Sequence, residues 1–173
     1  SFLYYEGKYI KQDINKAIHY LSLASKQNNS SAQYILGQFY SKCVFSINMN
    51  KAMDYFYQSS LNGNNESSFK IGYFYHEGKY IMRDIKKAIE YYKLASSFDN
   101  KFAKNNLGII YKYGDGNDIP RNIDFSIIYF DEAIKKFHDK VAMYNLLHIY
   151  IYEDKTTERV KESIHLLIES IKQ

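Results

Sequence analysis

The stretch YHEGKYIMRDIKKAIEYYKLASS, from Tyr75 to Ser97, decides the fold because an imperfect copy of it occurs earlier in the chain. The copy that starts at Gly7 reads GKYIKQDINKAIHYLSLAS, and thirteen of its nineteen positions are identical to those that start at Gly78. The two copies are 71 residues apart, which is too long for one helical repeat and fits two. A period of about 35 residues indicates a solenoid of helical hairpins.

Tyrosines mark the same period along the whole chain. They recur at intervals of 36, 35, 36 and 39 residues, at Tyr4, Tyr40, Tyr75, Tyr111 and Tyr150. Each unit also carries two runs of apolar residues at i, i+3, i+4 and i+7, which predict two amphipathic helices. One such hairpin has too little apolar surface to bury alone, so the core comes from stacking.

We predict a single solenoid over residues 1–173. It consists of a partial unit at 1–31 and four further units at 32–66, 67–102, 103–141 and 142–173. Because the chain starts in the middle of a repeat, we expect it to be a fragment of a longer chain.

Local signals place the helix ends. The second helix of each unit follows an Asp or Asn whose side chain can accept backbone N–H groups, at Asp13, Asn48, Asp84 and Asn122. Gly7, Gly78 and Gly114 supply positive φ after the first helix. Small residues let neighbouring helices approach closely, at Ala17, Ala52, Ala88, Ser126 and Ser163. In the first of these second helices, the predicted buried stripe is Ala17, Tyr20, Leu21 and Ala24.

The composition excludes several classes of protein. With one proline and eight glycines, the chain lacks the turns of an all-β sandwich. The net charge of +4 comes from 23 basic and 19 acidic residues that are interspersed, so we predict no nucleic-acid partner. One cysteine excludes an internal disulfide. No apolar run reaches the length of a membrane span, about 18 residues, so we predict no membrane insertion.

The residues that usually carry chemistry are scattered. The five histidines are spread over four units and form no His-x3-His pair, at His19, His76, His138, His148 and His165. Cys43 has no histidine at a motif spacing, and the loop that starts at Asp115 has Ser126 where a calcium loop needs its bidentate acid. We therefore predict no catalytic residue, no metal site and no cofactor.

The repeated apolar, glycine and capping positions of this chain resemble the Sel-1-like repeat family, which is related to the tetratricopeptide repeats. The family pattern is approximately A-x3-L-G-x2-Y-x2-G-x-G-V-x2-D-x2-K-A-x2-Y-Y-x2-A-A. Most of it is matched by Gly78, Ile81, Asp84, Lys87, Ala88, Tyr91, Tyr92 and Ala95. The departures are at Tyr9, Cys43, Tyr80, Leu147 and Arg159. The resemblance implies an all-α fold, a right-handed α/α superhelical solenoid of antiparallel helix pairs.

The resemblance also implies a scaffold or adaptor that binds another protein and has no catalytic activity. In a hairpin solenoid the first helices line the concave surface, and their outward positions are unusually apolar here. The predicted partner-binding residues are Tyr34, Gln38, Phe69, Tyr73, Asn105, Ile109, Tyr144 and His148. The simpler interpretation is that these side chains pack against adjacent first helices.

Two other functions stay open at this point. The chain is alternatively a regulatory or docking region of a longer enzyme such as a kinase, or a catalytic repeat domain. The last is disfavoured because no nucleophile, base and orienting group recur together. The cytoplasm is the favoured location, with the ER lumen as the alternative, and the sequence does not indicate the oligomeric state.

Overall fold

The computed structural model describes residues 14–42, 48–116 and 118–152. These residues form eight α-helices and no β-strand, which confirms the predicted all-α class. In chain order the helices are α1 (Ile14–Lys26), α2 (Ser30–Lys42), α3 (Met49–Leu61), α4 (Asn65–Glu77), α5 (Ile85–Ser97), α6 (Lys101–Tyr113), α7 (Ile123–Phe137) and α8 (Lys140–Tyr152). Short connections join successive helices, as in helical hairpins. The even-numbered helices are the first helices of the repeats, and the odd-numbered ones are the second.

The chain divides into two compact units, which are described separately. Unit 1 covers Ser1–Arg83 and contains α1–α4, and unit 2 covers Asp84–Gln173 and contains α5–α8. The repeat boundaries drawn from the sequence stay a prediction. The predicted features at Gly7, Asp13, Cys43, Arg159 and Ser163 lie outside the described residues.

Side-chain oxygens cap the helix starts, as predicted for the second helices. Asn48 and Asn122 each accept a hydrogen bond of 3.0 Å from the backbone N–H three residues later, and so does Asp84. The first helices are capped in the same way by residues that the sequence reading did not single out, Asn29, Asn64, Asn100 and Asp139. In the described part of the chain, first and second helices alike therefore begin at a side-chain cap.

Glycine and arginine close the loop between the two helices of a repeat. Gly78 and Gly114 have φ of 65° and 71°, which confirms the predicted positive φ after the first helix. Arg83 Nε donates to the His76 carbonyl at 3.0 Å, and Arg121 Nε donates to the Lys112 carbonyl at 2.9 Å. In unit 2, Arg121 directly precedes the capping residue Asn122, so it ties the start of α7 to the end of α6.

The core of each unit forms where a second helix packs against first helices. In unit 1 it contains Leu21, Ala32 and Leu36, and in unit 2 it extends over Phe130, Ala133, Ile134, Ala142, Met143, Leu146, Ile149 and Tyr150. The predicted small residues Ala52, Ala88 and Ser126 are fully buried. The marker tyrosines fill equivalent spaces in both units, because Tyr40 stacks on Tyr55 in unit 1 and Tyr111 stacks on Tyr129 in unit 2.

Two glycines allow a close contact between a first and a second helix. A Cβ added to Gly37 would lie 2.7 Å from the ring of Phe56, and one added to Gly108 would lie 2.5 Å from the ring of Phe130. Both rings are fully buried. Each unit therefore packs a phenylalanine ring of a second helix directly on the backbone of a first helix.

One core prediction was wrong. Tyr20 was predicted to belong to the buried stripe of α1, but 48% of its surface is exposed. The buried side of α1 centres on Ala17, Leu21 and Ser25, which are spaced by one helical turn. Tyr20 lies on the flank of this line, where its ring meets His19 edge-on.

Candidate functional site

The predicted partner-binding residues lie on the first helices, two on each. Tyr34 and Gln38 are on α2, Phe69 and Tyr73 are on α4, and the other four are on α6 and α8. At about 100° per residue, the two members of each pair are about 40° apart and share one side of their helix. The surroundings of these pairs differ between the two units.

In unit 1, Tyr34 and Gln38 are joined to each other. The Gln38 amide nitrogen donates to the Tyr34 hydroxyl at 2.8 Å, and the Tyr34 ring lies 5.9 Å from the ring of Phe56. Burial raises the pKa of Tyr34, as does the nearby Glu66 carboxylate, whereas the hydrogen bond from Gln38 lowers this pKa. Tyr34 is therefore a half-buried neutral phenol, fixed at one end by the core and at the other by an amide.

Phe69 and Tyr73 on α4 form an aromatic pair with their ring centroids 6.5 Å apart. Tyr73 is 40% exposed. The ammonium of Lys70 lies 5.9 Å from the centroid of Phe69 and 5.8 Å from that of Tyr73, within the range of a cation–π contact. Lys70 was not among the predicted residues, because on a helical wheel it sits about 100° from Phe69 and so at the edge of the selected face.

In unit 2, Asn105 and Ile109 are used within the fold. Asn105 is 7% exposed, and its Nδ2 donates to the Asp139 carboxylate at 3.0 Å. The same Asp139 oxygen caps α8 by accepting from Val141 and Ala142 N–H groups. Ile109 packs against the core of unit 2. Asn105 thus links α6 to the start of α8.

Tyr144 and His148 on α8 are more accessible. Tyr144 is 66% exposed, and the half-buried imidazole of His148 lies 4.7 Å from the ring of Tyr152. The buried Nδ1 of His148 has no hydrogen-bond partner in the part of the chain that the structure describes. These two residues therefore remain available at the surface of unit 2.

Further exposed apolar side chains lie one turn before or after the predicted positions of unit 2. They are Phe102 and Tyr113 on α6, with Val141 and Tyr152 on α8, and each is more than half exposed. Their spacing from Asn105 or Tyr144 keeps them within about 80° of the predicted side. A search of the sequence over a full heptad, instead of one i, i+4 pair, would have found them.

These observations define two surfaces. The unit 1 patch consists of Tyr34, Gln38, Lys42, Phe69, Lys70 and Tyr73. The unit 2 patch consists of Phe102, Tyr113, Val141, Tyr144, His148 and Tyr152.

The Sel1 repeat matches this chain four times, at residues 1–29, 30–64, 65–97 and 101–136. This chain belongs to the Sel1 repeat family. The match at 30–64 contains the hairpin of α2 and α3, and the match at 101–136 covers α6 and all but the last residue of α7. Sel1 repeat proteins generally mediate protein–protein interactions and are typically non-enzymatic scaffolds, which agrees with the predicted class of function.

Solved structures of Sel1 repeat proteins share the fold. A Sel1 repeat protein from Oxalobacter formigenes aligns with a TM-score of 0.79 at 20% identity, over 98% of this chain and 70% of that one. The protective antigen c5321 of uropathogenic Escherichia coli, which displays an SLR fold, aligns with a TM-score of 0.84 at 19% identity. That alignment covers 98% of this chain and 36% of the antigen, so this chain spans about a third of the antigen's length.

A third structure differs in its cysteine content. Helicobacter pylori cysteine rich protein B aligns with a TM-score of 0.57 at 25% identity, over 79% of this chain and 96% of that one. The present Sel1 repeat chain has a single cysteine. Among curated proteins, none matches the chain. The comparisons do not support the alternative of a docking region in a longer enzyme.

A polar cavity lies between α1 and α3, the second helices of this family's hairpins in unit 1. Its volume is about 320 Å³, and it is lined by Ser22, Ser25, Lys26, Lys51, Asp54, Tyr55 and Gln58. The Lys51 ammonium contacts the ring of Tyr40, whose centroid is 4.3 Å away. A hydrogen bond to Tyr40 raises the pKa of Lys51. The lining has neither a histidine nor a cysteine.

Within the described residues, the arrangement of side chains and the lengths of the helices bear on metal binding and on membrane insertion. No group of three His, Cys, Asp or Glu side chains within residues 14–42, 48–116 and 118–152 is placed to hold a metal ion. Over the same residues, no helix has the length and apolarity needed to cross a membrane.

Proposed function

We propose that this Sel1 repeat protein is a non-catalytic scaffold that binds a segment of another protein on the outward side of its first helices. The observation that carries the proposal is the exposure of large aromatic side chains there, with Tyr73 at 40% and Tyr144 at 66%. Aromatic side chains are the commonest anchors of protein interfaces, because they bury a large area at a small cost in conformational entropy.

The surroundings of these aromatics favour a binding role. Tyr34 is fixed by Gln38 and by the ring of Phe56, and Tyr73 is paired with Phe69. A side chain that is already held in place loses little freedom on binding. The core of each unit lies behind these side chains and does not depend on their outer edges. The patches are thus preorganised, and their exposed edges can be changed without a large effect on folding.

The test is capture of a native partner with wild-type and variant chains. The variants are Phe69→Ala with Tyr73→Ala for the unit 1 patch and Tyr144→Ala for the unit 2 patch. We expect at least one of them to weaken binding by about 2 kcal/mol or more, the size of an interface hot spot. The free energy of unfolding should change little in Tyr144→Ala because that side chain is mostly exposed.

Two aromatics on second helices provide matched controls. Tyr20 on α1 and Phe125 on α7 are 48% and 49% exposed, so they resemble Tyr73 in accessibility but lie on the other kind of helix. Tyr20→Ala and Phe125→Ala should leave binding unchanged. If the controls weaken binding while the first-helix variants do not, the partner binds elsewhere and the proposal is wrong.

A further inference from the structure

Lys70 lies in the unit 1 patch with an incompletely compensated charge. Its side chain is half-buried, and its ammonium is close to two aromatic rings, those of Phe69 and Tyr73. The faces of such rings attract a cation, but they do not neutralise it. Desolvation of an ammonium without a counter-charge is unfavourable.

The charges around Lys70 leave room for an anion. Burial lowers the pKa of Lys70, and repulsion from Lys42 lowers this pKa further, whereas Glu66 raises it by a smaller amount. Glu66 lies one turn before Lys70 on α4, the usual spacing of a helical ion pair. Among the described residues, however, no carboxylate comes within ion-pair distance of the Lys70 ammonium. The patch therefore contains two lysines whose positive charges repel each other.

We propose that the unit 1 patch binds an acidic peptide segment, with a carboxylate on the Lys70 ammonium and apolar side chains against Phe69 and Tyr73. This inference rests on the proposed function and names the chemistry of the partner in unit 1. A purely apolar partner would bury Lys70 further and leave its charge without compensation. A carboxylate would instead accept hydrogen bonds from Lys70 and reduce its repulsion with Lys42.

The acidic residues of α4 favour a peptide over a nucleic acid as the ligand of this patch. Glu66 and Glu77 lie in the first and last turns of α4, on either side of Lys70. A nucleic-acid backbone carries a negative charge at every step and is bound by runs of cations. A peptide can place one carboxylate on Lys70 and neutral residues beside Glu66 and Glu77. The charge pattern of unit 1 therefore suits separated carboxylates better than a continuous line of phosphates.

The test uses the whole chain and a fluorescently labelled peptide that alternates Glu with Phe and Leu. A matched peptide replaces every Glu by Gln. We expect the Glu peptide to bind more tightly than the Gln peptide, and its affinity to fall as salt is added. Lys70→Gln should weaken binding of the Glu peptide about tenfold, the size expected for loss of a hydrogen bond between charged groups. Lys70→Arg should retain most of the affinity.

Lys93→Gln is the control substitution. The Lys93 ammonium lies 6.0 Å from the centroid of Tyr111, so it resembles Lys70 in its aromatic neighbour, but it is on a second helix. This variant should bind like the wild type. Equal binding of the Glu and Gln peptides, no binding of the Glu peptide, or no effect of Lys70→Gln would overturn the inference. Tighter, Lys70-dependent binding of a single-stranded oligonucleotide would overturn it as well.

The capture experiment separates failure of this inference from failure of the proposed function. A partner that is lost by the Phe69→Ala/Tyr73→Ala variant but kept by Lys70→Gln leaves the proposed function standing and rejects the acidic segment. If every first-helix variant keeps its partner, the proposed function itself is wrong. Circular dichroism of Lys70→Gln should match the wild type, because the substitution removes a charge from a half-buried position without leaving a cavity.

Discussion

In unit 1 the outward side of the first helices combines Phe69 and Tyr73 with Lys42 and Lys70, whereas the unit 2 patch contains no lysine. Its members are aromatic or aliphatic apart from His148, and Tyr144 is 66% exposed. Part of each patch occupies equivalent positions of the repeat, because Phe69 corresponds to Tyr144 and Tyr73 corresponds to His148. Lysines also lie beside the unit 2 patch, because the Lys101 ammonium is 5.2 Å from the centroid of Phe102 and the Lys112 ammonium is 5.1 Å from that of Tyr113. The two surfaces therefore differ in the amount of exposed apolar area rather than in the presence of cations.

The interiors of the two units also differ at equivalent positions. In unit 1 the buried Ser67 hydroxyl donates to Ser59 at 2.7 Å, and Ser59 donates to the Ser30 carbonyl at 2.7 Å. The corresponding positions of unit 2 are Ala95 and Ala103, both fully buried. The same position of the repeat core thus holds either two hydrogen-bonded serines or two alanines. What the units share is the glycine that contacts a phenylalanine ring.

The largest expected effect tests that shared contact. Gly37→Ala and Gly108→Ala should each lower the free energy of unfolding by about 1–3 kcal/mol, the usual cost of adding volume to a packed core. The reason is that the added Cβ would clash with Phe56 or Phe130. Alanine is the better helix former by about 1 kcal/mol, so the clash must outweigh this gain. Urea denaturation measures the difference.

A compensating change provides the control for this prediction. Phe130→Leu shortens the side chain at the clash, so Gly108→Ala should be less destabilising in a Phe130→Leu background than in the wild type. A stabilising Gly108→Ala would show that the ring moves aside without loss, and the close approach would then not be needed. Different costs in the two units would show that one of them tolerates the added methyl group.

A smaller effect tests the internal difference. Ser59→Ala should lower the free energy of unfolding by about 1–2 kcal/mol, because it leaves the buried Ser67 hydroxyl without its acceptor. The double variant Ser59→Ala/Ser67→Ala should be no less stable than the single one, since it reproduces the Ala95 and Ala103 pair of unit 2.

Ser97→Ala is the control, because its hydroxyl bonds the Leu94 carbonyl at an exposed position. It should change the free energy of unfolding by no more than about 0.5 kcal/mol. A double variant that costs the sum of the single ones would mean that the alanine pair does not suit unit 1. The two cores would then not be interchangeable at this position.

The sequence predicted the features that depend on neighbouring residues in the chain, such as helix pairs and helix caps. It did not predict the features that depend on contacts between distant parts of the chain. Periodic apolar residues indicate helix pairs because each helix must bury one side, and Asp84 and Asn122 cap because their short side chains reach the backbone. The inward turn of Asn105 could not be predicted, since its hydrogen bond is to Asp139 at the start of another helix. Lys70 was not selected because it lies about 100° from Phe69 on the helical wheel of α4. Its neighbour Lys42 comes from α2, and a helical wheel of α4 alone does not contain it.

The smallest expected effect distinguishes the helix caps of the two units in acid. The described caps of unit 1 are all asparagines, which do not titrate, whereas Asp84 caps α5 in unit 2. The backbone hydrogen bond from Lys87 is the main reason that the pKa of Asp84 is lowered. The stabilisation from this cap is therefore complete above the pKa of Asp84 in the unfolded chain, and it is lost as the pH falls through the lower pKa of the folded state.

Thermal unfolding, followed from neutral pH into this acid range, measures the effect. The Asp84→Asn variant should lose less Tm than the wild type, because asparagine retains a capping oxygen but cannot be protonated. Asn48→Asp should produce the opposite change in unit 1, an added loss of Tm over the same pH range. If both variants followed the wild type, the acid sensitivity would originate elsewhere and the caps would not distinguish the units.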